Sequence, residues 1–195
     1  MDRYSPLRRR TIALVGLMGV GKSSVGRRLA NALELPFRDA DSEVETAAGR
    51  SISDIFSDLG EEAFREGERR VIARLLDQEP HVLATGGGAF MNEQTRELIK
   101  SQAISVWLKA DLDVLARRVA RKDTRPLLAG KDPMDVLQAQ ADARYPAYGE
   151  ADVMVETGDV AHHITVEQVI RALSAHLDAP EVSQPGVSAP EVSEP

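Results

Sequence analysis

Short apolar runs alternate with longer amphipathic stretches along this chain. Thr11-Ile12-Ala13-Leu14-Val15 is almost wholly apolar and stops at Gly16, the pattern of a strand covered on both faces. His81-Val82-Leu83-Ala84-Thr85 and Ala103-Ile104-Ser105-Val106-Trp107-Leu108 have the same character. Leu35-Pro36-Phe37-Arg38-Asp39 and Asp152-Val153-Met154-Val155 read as shorter strands. Between them the spacing predicts helices over 22–33, 42–48, 51–58, 60–78, 92–100, 111–120, 134–148 and 162–177. In 60–78, Phe64, Val71, Ile72, Leu75 and Leu76 fall close to one helical face. This alternation predicts an α/β fold, a parallel sheet sandwiched by helices. Ligands in such sheets bind at the carboxyl ends of the strands.

The two ends of the chain differ from its middle. Residues 1–10 form a short basic arm, expected to be disordered. Ala179-Pro180-Glu181-Val182-Ser183-Gln184-Pro185 is echoed by Ala189-Pro190-Glu191-Val192-Ser193-Glu194-Pro195. This Pro/Ser/Glu-rich stretch holds too little apolar surface to offset its ordering entropy, so 179–195 reads as a disordered tail. Residues 11–178 remain as a single domain, large enough to bury a core without staples. The chain has no cysteine, which excludes disulfides, cysteine-held zinc, iron–sulfur clusters and a cysteine nucleophile.

No apolar run reaches the roughly 18 residues of a membrane span, and no secretory signal follows the basic arm; the expected compartment is the cytosol and no membrane partner is expected. A net charge of −7 argues against a nucleic-acid partner but leaves room for small anions held by a few local cations. His162-His163 with His176 is too thin for a metal site and reads as a helix start or surface. Monomer is the expected state.

Gly16-Leu17-Met18-Gly19-Val20-Gly21-Lys22-Ser23 matches the phosphate-loop pattern G-x-x-x-x-G-K-[ST], between a predicted strand and a predicted helix. Glycines let backbone N–H groups close around phosphate oxygens, and the helix adds its positive end. Lys22 would reach the β- and γ-phosphates of a nucleotide, and the Ser23 hydroxyl would ligate Mg²⁺ directly. A guanine-reading Asn-Lys-x-Asp is absent, so a small-molecule kinase fits better than a GTPase switch. Such an enzyme needs an acceptor pocket, a carboxylate near the acceptor hydroxyl and a cationic lid.

In Asp39-Ala40-Asp41, strand alternation would point both carboxylates the same way, Asp39 toward the hydration shell of Mg²⁺ and Asp41 toward an acceptor hydroxyl. The alternative is that Asp41 or Ser42 caps the next helix. Thr85-Gly86-Gly87-Gly88 offers a bare backbone to a hydroxylated ligand, or is a flexible connector. Arg65, Arg125 and Arg144 carry the planar fork suited to a carboxylate or phosphate, and Glu68 stands one turn from Arg65 to orient it. Each arginine alone reads more often as a solvated surface residue.

In series, Gly16–Ser23, Asp39-x-Asp41, Phe64-Arg65-x-x-Glu68, Gly86-Gly87-Gly88, Thr124-Arg125-Pro126-Leu127-Leu128 and Arg144-Tyr145 resemble the shikimate kinase family over residues 10–177. The resemblance implies a P-loop NTPase core of the adenylate-kinase type, with a five-stranded parallel sheet. It also implies an acceptor-binding segment at about 39–68 and a lid at about 121–133. Gly19, Val20, Gly21, Lys22, Ser23 and Ser24 would bind ATP, Arg118 would lie beside the adenine, and Arg125 would bring the lid to the phosphates. Asp41, Arg65, Gly86, Gly87, Gly88 and Arg144 would bind shikimate. Lys22, Asp41 and Arg125 would serve catalysis, with Mg²⁺ as cofactor and ATP and shikimate as partners. The implied reaction gives shikimate 3-phosphate and ADP, in aromatic amino-acid biosynthesis. Some members carry an arginine after the last strand, where this chain reads Glu156-Thr157-Gly158-Asp159. A sugar-acid kinase of the gluconate type shares the phosphate loop, and a nucleotide sensor without catalysis is the rival of another class. The paired Arg65 and Arg144 with Asp41 favour shikimate over the first, and a lid arginine has no use in the second.

Overall fold

The computed structural model describes residues 5–120 and 132–179. Five strands form one parallel sheet: β1 (Thr11–Val15), β2 (Phe37–Asp39), β3 (Val82–Ala84), β4 (Ala103–Ala110) and β5 (Val153–Thr157). Their order across the sheet is β2-β3-β1-β4-β5. Every residue of β1 is buried, because helices cover both faces of this central strand. At the edge, β5 alternates buried Val153, Val155 and Thr157 with exposed Met154 and Glu156. The chain leaves β1 between two neighbours reached in opposite directions, which opens a crevice at their carboxyl ends.

The helices are α1 (Lys22–Leu33), α2 (Ala40–Ala48), α3 (Ile52–Leu76), α4 (Glu93–Gln102), α5 (Leu112–Ala120), α6 (Pro133–Tyr148) and α7 (His162–Asp178). Most begin where the spacing places them. The run α3 is interrupted at Gly60 (φ 82, ψ 174), so the two stretches expected over 51–58 and 60–78 are successive helices meeting at a break. Caps set several starts. Ser51 accepts from the amide of Asp54, Asn92 from that of Thr95, and Asp132 from that of Met134. Val25, Leu29 and Leu33 of α1 are buried against the sheet, and Phe64, Ile72, Leu75 and Leu76 of α3 are buried in the same core. Truncating a leucine as fully enclosed as Leu14 would cost about 2–5 kcal/mol. Among the described residues no helix is long and apolar enough to cross a membrane.

Three expectations need correction. The arm is not disordered over residues 5–10: Leu7–Arg9 form a 3₁₀ turn, Leu7 is 1% exposed, and Arg8 pairs with Glu34 at 3.0 Å. One buried leucine is enough to dock the segment. Helix α2 begins at Ala40, so Asp41 sits in a first helical turn rather than on an alternating strand. Asp132 and Pro133, taken as the end of the lid, instead cap and open α6. The rest of the expected lid, including Arg125, lies outside the described residues, as do 1–4 and 180–195 of the arm and tail.

At the amino end of the sheet His81 is 1% exposed, with Nδ1 2.9 Å from the carbonyl of Glu79. Burial holds its pKa below the ordinary 6.5, against the opposing pull of the Glu79 contact. The folded state therefore keeps the neutral ring, while the unfolded chain takes up a proton as pH falls below about 6.5. This contribution to stability is present above that pH and lost below it. Melting temperature measured from pH 7.5 to 5 should fall less for His81→Gln than for the wild type. Parallel profiles would contradict the assignment.

Candidate active site

The loop from Gly16 to Gly21 turns the chain from β1 into α1 around a cavity of about 610 Å³. Gly19 (φ 80) and Gly21 (φ 99) occupy left-handed backbone, where a side chain would be strained. At Gly19 a Cβ would also lie 2.7 Å from Val119 Cγ2 of α5. Gly19, Gly21, Lys22, Ser23 and Ser24 line the cavity. Val20 does not: it is 2% exposed and packs into the core. Lys22 folds back and donates from Nζ to the carbonyls of Gly16 (2.7 Å) and Leu17 (3.1 Å). Ser23 Oγ donates to Asp39 Oδ2 at 2.6 Å. Asp39 occupies the N-cap position of α2 without capping it, because its carboxylate serves this hydroxyl. A hydroxyl and a carboxylate, both hard oxygen donors, fit Mg²⁺, which takes few protein ligands and keeps waters and phosphate oxygens. Among the described residues no group of three or more His, Asp or Glu side chains gathers for any other metal.

Asp41 also opens into the cavity, and although the residue is exposed as a whole its carboxyl has a pKa above the ordinary aspartate value. Enclosure by the cleft walls is the largest cause and the neighbouring Asp39 adds to it, while Lys22 opposes. Behind Asp41 lies the end of β3. Thr85 and Gly87 line the cavity, whereas Gly86 and Gly88 are buried beneath it. A Cβ on Gly86 would come 2.4 Å from Glu68 Oε1 and 2.9 Å from Asp41 Oδ1. On Gly88 it would come 2.5–2.6 Å from the guanidinium of Arg65.

Arg65 is half-buried, bonded through Nη1 to Glu68 Oε2 at 2.7 Å and through Nη2 to Glu61 at 3.2 Å, and stacked over Phe64. The expected Arg65–Glu68 pairing is present. Glu68 is 2% exposed, and burial raises its pKa against the pull of Arg65. Arg144 of α6 donates from Nη1 to the Gly87 carbonyl at 3.0 Å. Arg65 and Arg144 thus flank the triplet from two helices without themselves forming the cavity wall.

At the other end Arg118 lines the cavity and donates from Nη2 to the Gly158 carbonyl at 2.8 Å. The loop after β5, which lacks an arginine, therefore contributes a backbone anchor for one. His162 opens α7 as expected, but it also lines the cavity, with Cε1 3.9 Å from where a Cβ on Gly21 would sit. Burial and the cations Arg28 and Arg118 lower its pKa, favouring the neutral ring. His162, the buried state of Glu68 and the contact of Tyr148 with Gly87 are parts of the site that sequence reasoning missed. Glu68 carried a signal, since it shares the apolar face of Phe64 and Val71.

A phosphate loop at the central strand, two carboxylates beside it, and paired arginines around a bare turn define a P-loop phosphotransferase for a small acceptor. Comparison with known proteins gives the family. The model of the family described as shikimate kinase matches residues 18–174. A shikimate kinase of Caulobacter vibrioides is 71% identical over 172 residues, 88% of this chain and 86% of that one. One from Bradyrhizobium diazoefficiens is 53% identical over 184 residues, 94% of this chain and 89% of the other. The structure of an Acinetobacter baumannii shikimate kinase in complex with shikimate superposes with a TM-score of 0.84 at 34% identity, covering 90% and 99% of the two chains. The chain belongs to the shikimate kinase family. A gluconokinase of Sinorhizobium meliloti, at 22% identity and TM-score 0.58 over 86% and 93% of the chains, shares the fold.

The close approach at Gly88 is directly testable. Gly88→Ala should push Arg65 out of place and weaken binding of a carboxylate-bearing acceptor by about tenfold or more, roughly 1.4 kcal/mol. Calorimetric titration reads the loss, with nucleotide affinity as the control. Unchanged acceptor affinity would mean that Arg65 does not need its place above the triplet.

Proposed function

We propose that this protein transfers the γ-phosphoryl group of ATP to the 3-hydroxyl of shikimate, giving shikimate 3-phosphate and ADP in aromatic amino-acid biosynthesis. The observation that carries the reading is the convergence of Arg65 and Arg144 on Gly86–Gly88, with Asp41 between that turn and the phosphate loop. Shikimate bears one carboxylate and three ring hydroxyls. Two guanidinium forks clamp the carboxylate, the triplet backbone and Asp41 hold hydroxyls, and the ring is oriented with one hydroxyl toward the phosphates.

Phosphoryl transfer depends on in-line placement and charge neutralisation more than on covalent help from the protein. Lys22 exchanges the Gly16 and Leu17 carbonyls for phosphate oxygens when nucleotide arrives. Ser23 and Asp39 would hold Mg²⁺, which when bound neutralises the β- and γ-oxygens. Asp41 accepts the hydrogen bond of the attacking hydroxyl. Its raised pKa makes it a better proton acceptor than an ordinary aspartate as the new P–O bond forms and the bond to the ADP oxygen breaks. Arg118 and His162 flank the base. Arg125, outside the described residues, is assigned the lid position, closing on the transferred group and excluding water. The enzyme is assigned to the cytosol as a monomer with small-molecule partners, and its net charge of −7 weighs against a nucleic-acid partner.

Incubated with ATP and Mg²⁺, the protein should release ADP when shikimate is supplied and not when gluconate is. Arg65→Ala and Arg144→Ala should each weaken shikimate binding by about 2–5 kcal/mol, the range for truncating one member of an enclosed charge pair. ATP affinity measured without shikimate should stay near the wild-type value. Equal loss of both ligands would place these arginines in the support of the fold and remove the basis of the acceptor assignment.

A further inference from the structure

The Gly87 carbonyl receives two donors from one helix. Arg144 Nη1 lies 3.0 Å from it, and the hydroxyl of Tyr148 donates to the same oxygen. The two residues are four apart on α6 and so face the same side. They differ in freedom. Tyr148 is 1% exposed, its ring packed near Phe90 (centroids 6.5 Å) and Trp107 (5.9 Å), so its hydroxyl cannot leave. Arg144 is half-exposed on a long flexible stem and is the group that the acceptor carboxylate requires.

We propose that Tyr148 is a positioning residue that keeps the Gly87 carbonyl bonded when Arg144 leaves it for the acceptor carboxylate. A carbonyl oxygen accepts two hydrogen bonds, so it tolerates the loss of one donor and not of both. Without the tyrosine, each binding event would leave the half-buried Gly87 carbonyl with no side-chain donor, in a turn whose other two glycines are buried. Arg144 would then be held back by the oxygen it must abandon. Burial pushes the Tyr148 phenol up to about 12, so it remains a donor throughout the working pH range. This inference rests on the reading of Arg144 as a carboxylate clamp.

Tyr148→Phe removes one oxygen and keeps the ring. Its KM for shikimate should rise about tenfold, while kcat at saturating shikimate and the affinity for ATP stay close to wild type. In an Arg144→Ala background the same substitution should add little to the shikimate KM, because the carbonyl then lacks both donors with and without shikimate and no arginine remains to be released. A tyrosine that only supported the fold would shift ATP affinity and kcat together with melting temperature, and would add its full effect in the double variant; either result overturns the proposal. Amide hydrogen exchange over residues 86–91 of the wild type provides a reading that does not depend on the variant folding. Protection of that turn should persist when shikimate is added, and a turn that loosens on binding would contradict the role. Arg144→Ala with unchanged shikimate affinity would instead sink the clamp reading itself, so the two failures are distinguishable.

Discussion

Three residues without side chains hold the acceptor side of the site together. Glu68 and Asp41 crowd the place where a Cβ at Gly86 would stand, and the Arg65 guanidinium fills the place of one at Gly88. The Gly87 carbonyl between them ties in α6 through Arg144 and Tyr148. The bare turn at the end of β3 thus lets α3 and α6 bring two cations and a buried carboxylate to one spot. Any side chain at the outer two positions would prise that arrangement apart, and the order of groups along the cleft follows from it.

The parallel sheet places this turn next to the phosphate loop. Strands β1 and β3 are neighbours with Leu14 opposite Ala84, so the segments leaving their carboxyl ends emerge side by side. Thr85 strengthens the link by donating from its hydroxyl to the Leu14 carbonyl at 2.9 Å. From the far side, β2 delivers Asp39 to Ser23. Local architecture, not overall charge, makes the cleft fit for anions. The protein carries 31 acidic against 24 basic side chains, yet Lys22 and Arg118 line the cleft while Arg65 and Arg144 flank the glycine turn beside it. Burial then tunes the carboxylates among them, raising the pKa of both Asp41 and Glu68.

Features that depend on neighbours in the chain were legible in the sequence. The strand–loop–helix around Gly16–Ser23, the five apolar runs and the pairing of Arg65 with Glu68 one turn on are all local, and the structure has them. Features that depend on distant contacts were not. Tyr148 meets Gly87 across 61 positions, and nothing in its surrounding sequence separates a core aromatic from a donor to the site. His162 reaches the cavity because α7 packs on α1, a contact without a local signature. Asp39 and Asp41 both line the cavity, but not by the strand alternation expected of them. The chain turns helical at Ala40, and both carboxylates reach the cleft through a strand end and a first helical turn instead of strand alternation. Leu7 was overlooked because a single leucine among arginines looks like part of a basic arm, although one deep contact suffices to dock it.

The proposed reaction requires one orientation of the acceptor: acid end at the glycine triplet, reacting hydroxyl toward the phosphate loop. A crystal structure of the protein with ADP, Mg²⁺ and shikimate measures this directly. The carboxylate should lie within hydrogen-bond distance of both Arg65 and Arg144, with Tyr148 still on the Gly87 carbonyl and one hydroxyl bonded to Asp41 on the side facing Lys22. A carboxylate placed against Lys22 or Arg118, with Arg144 still bonded to Gly87, would contradict it.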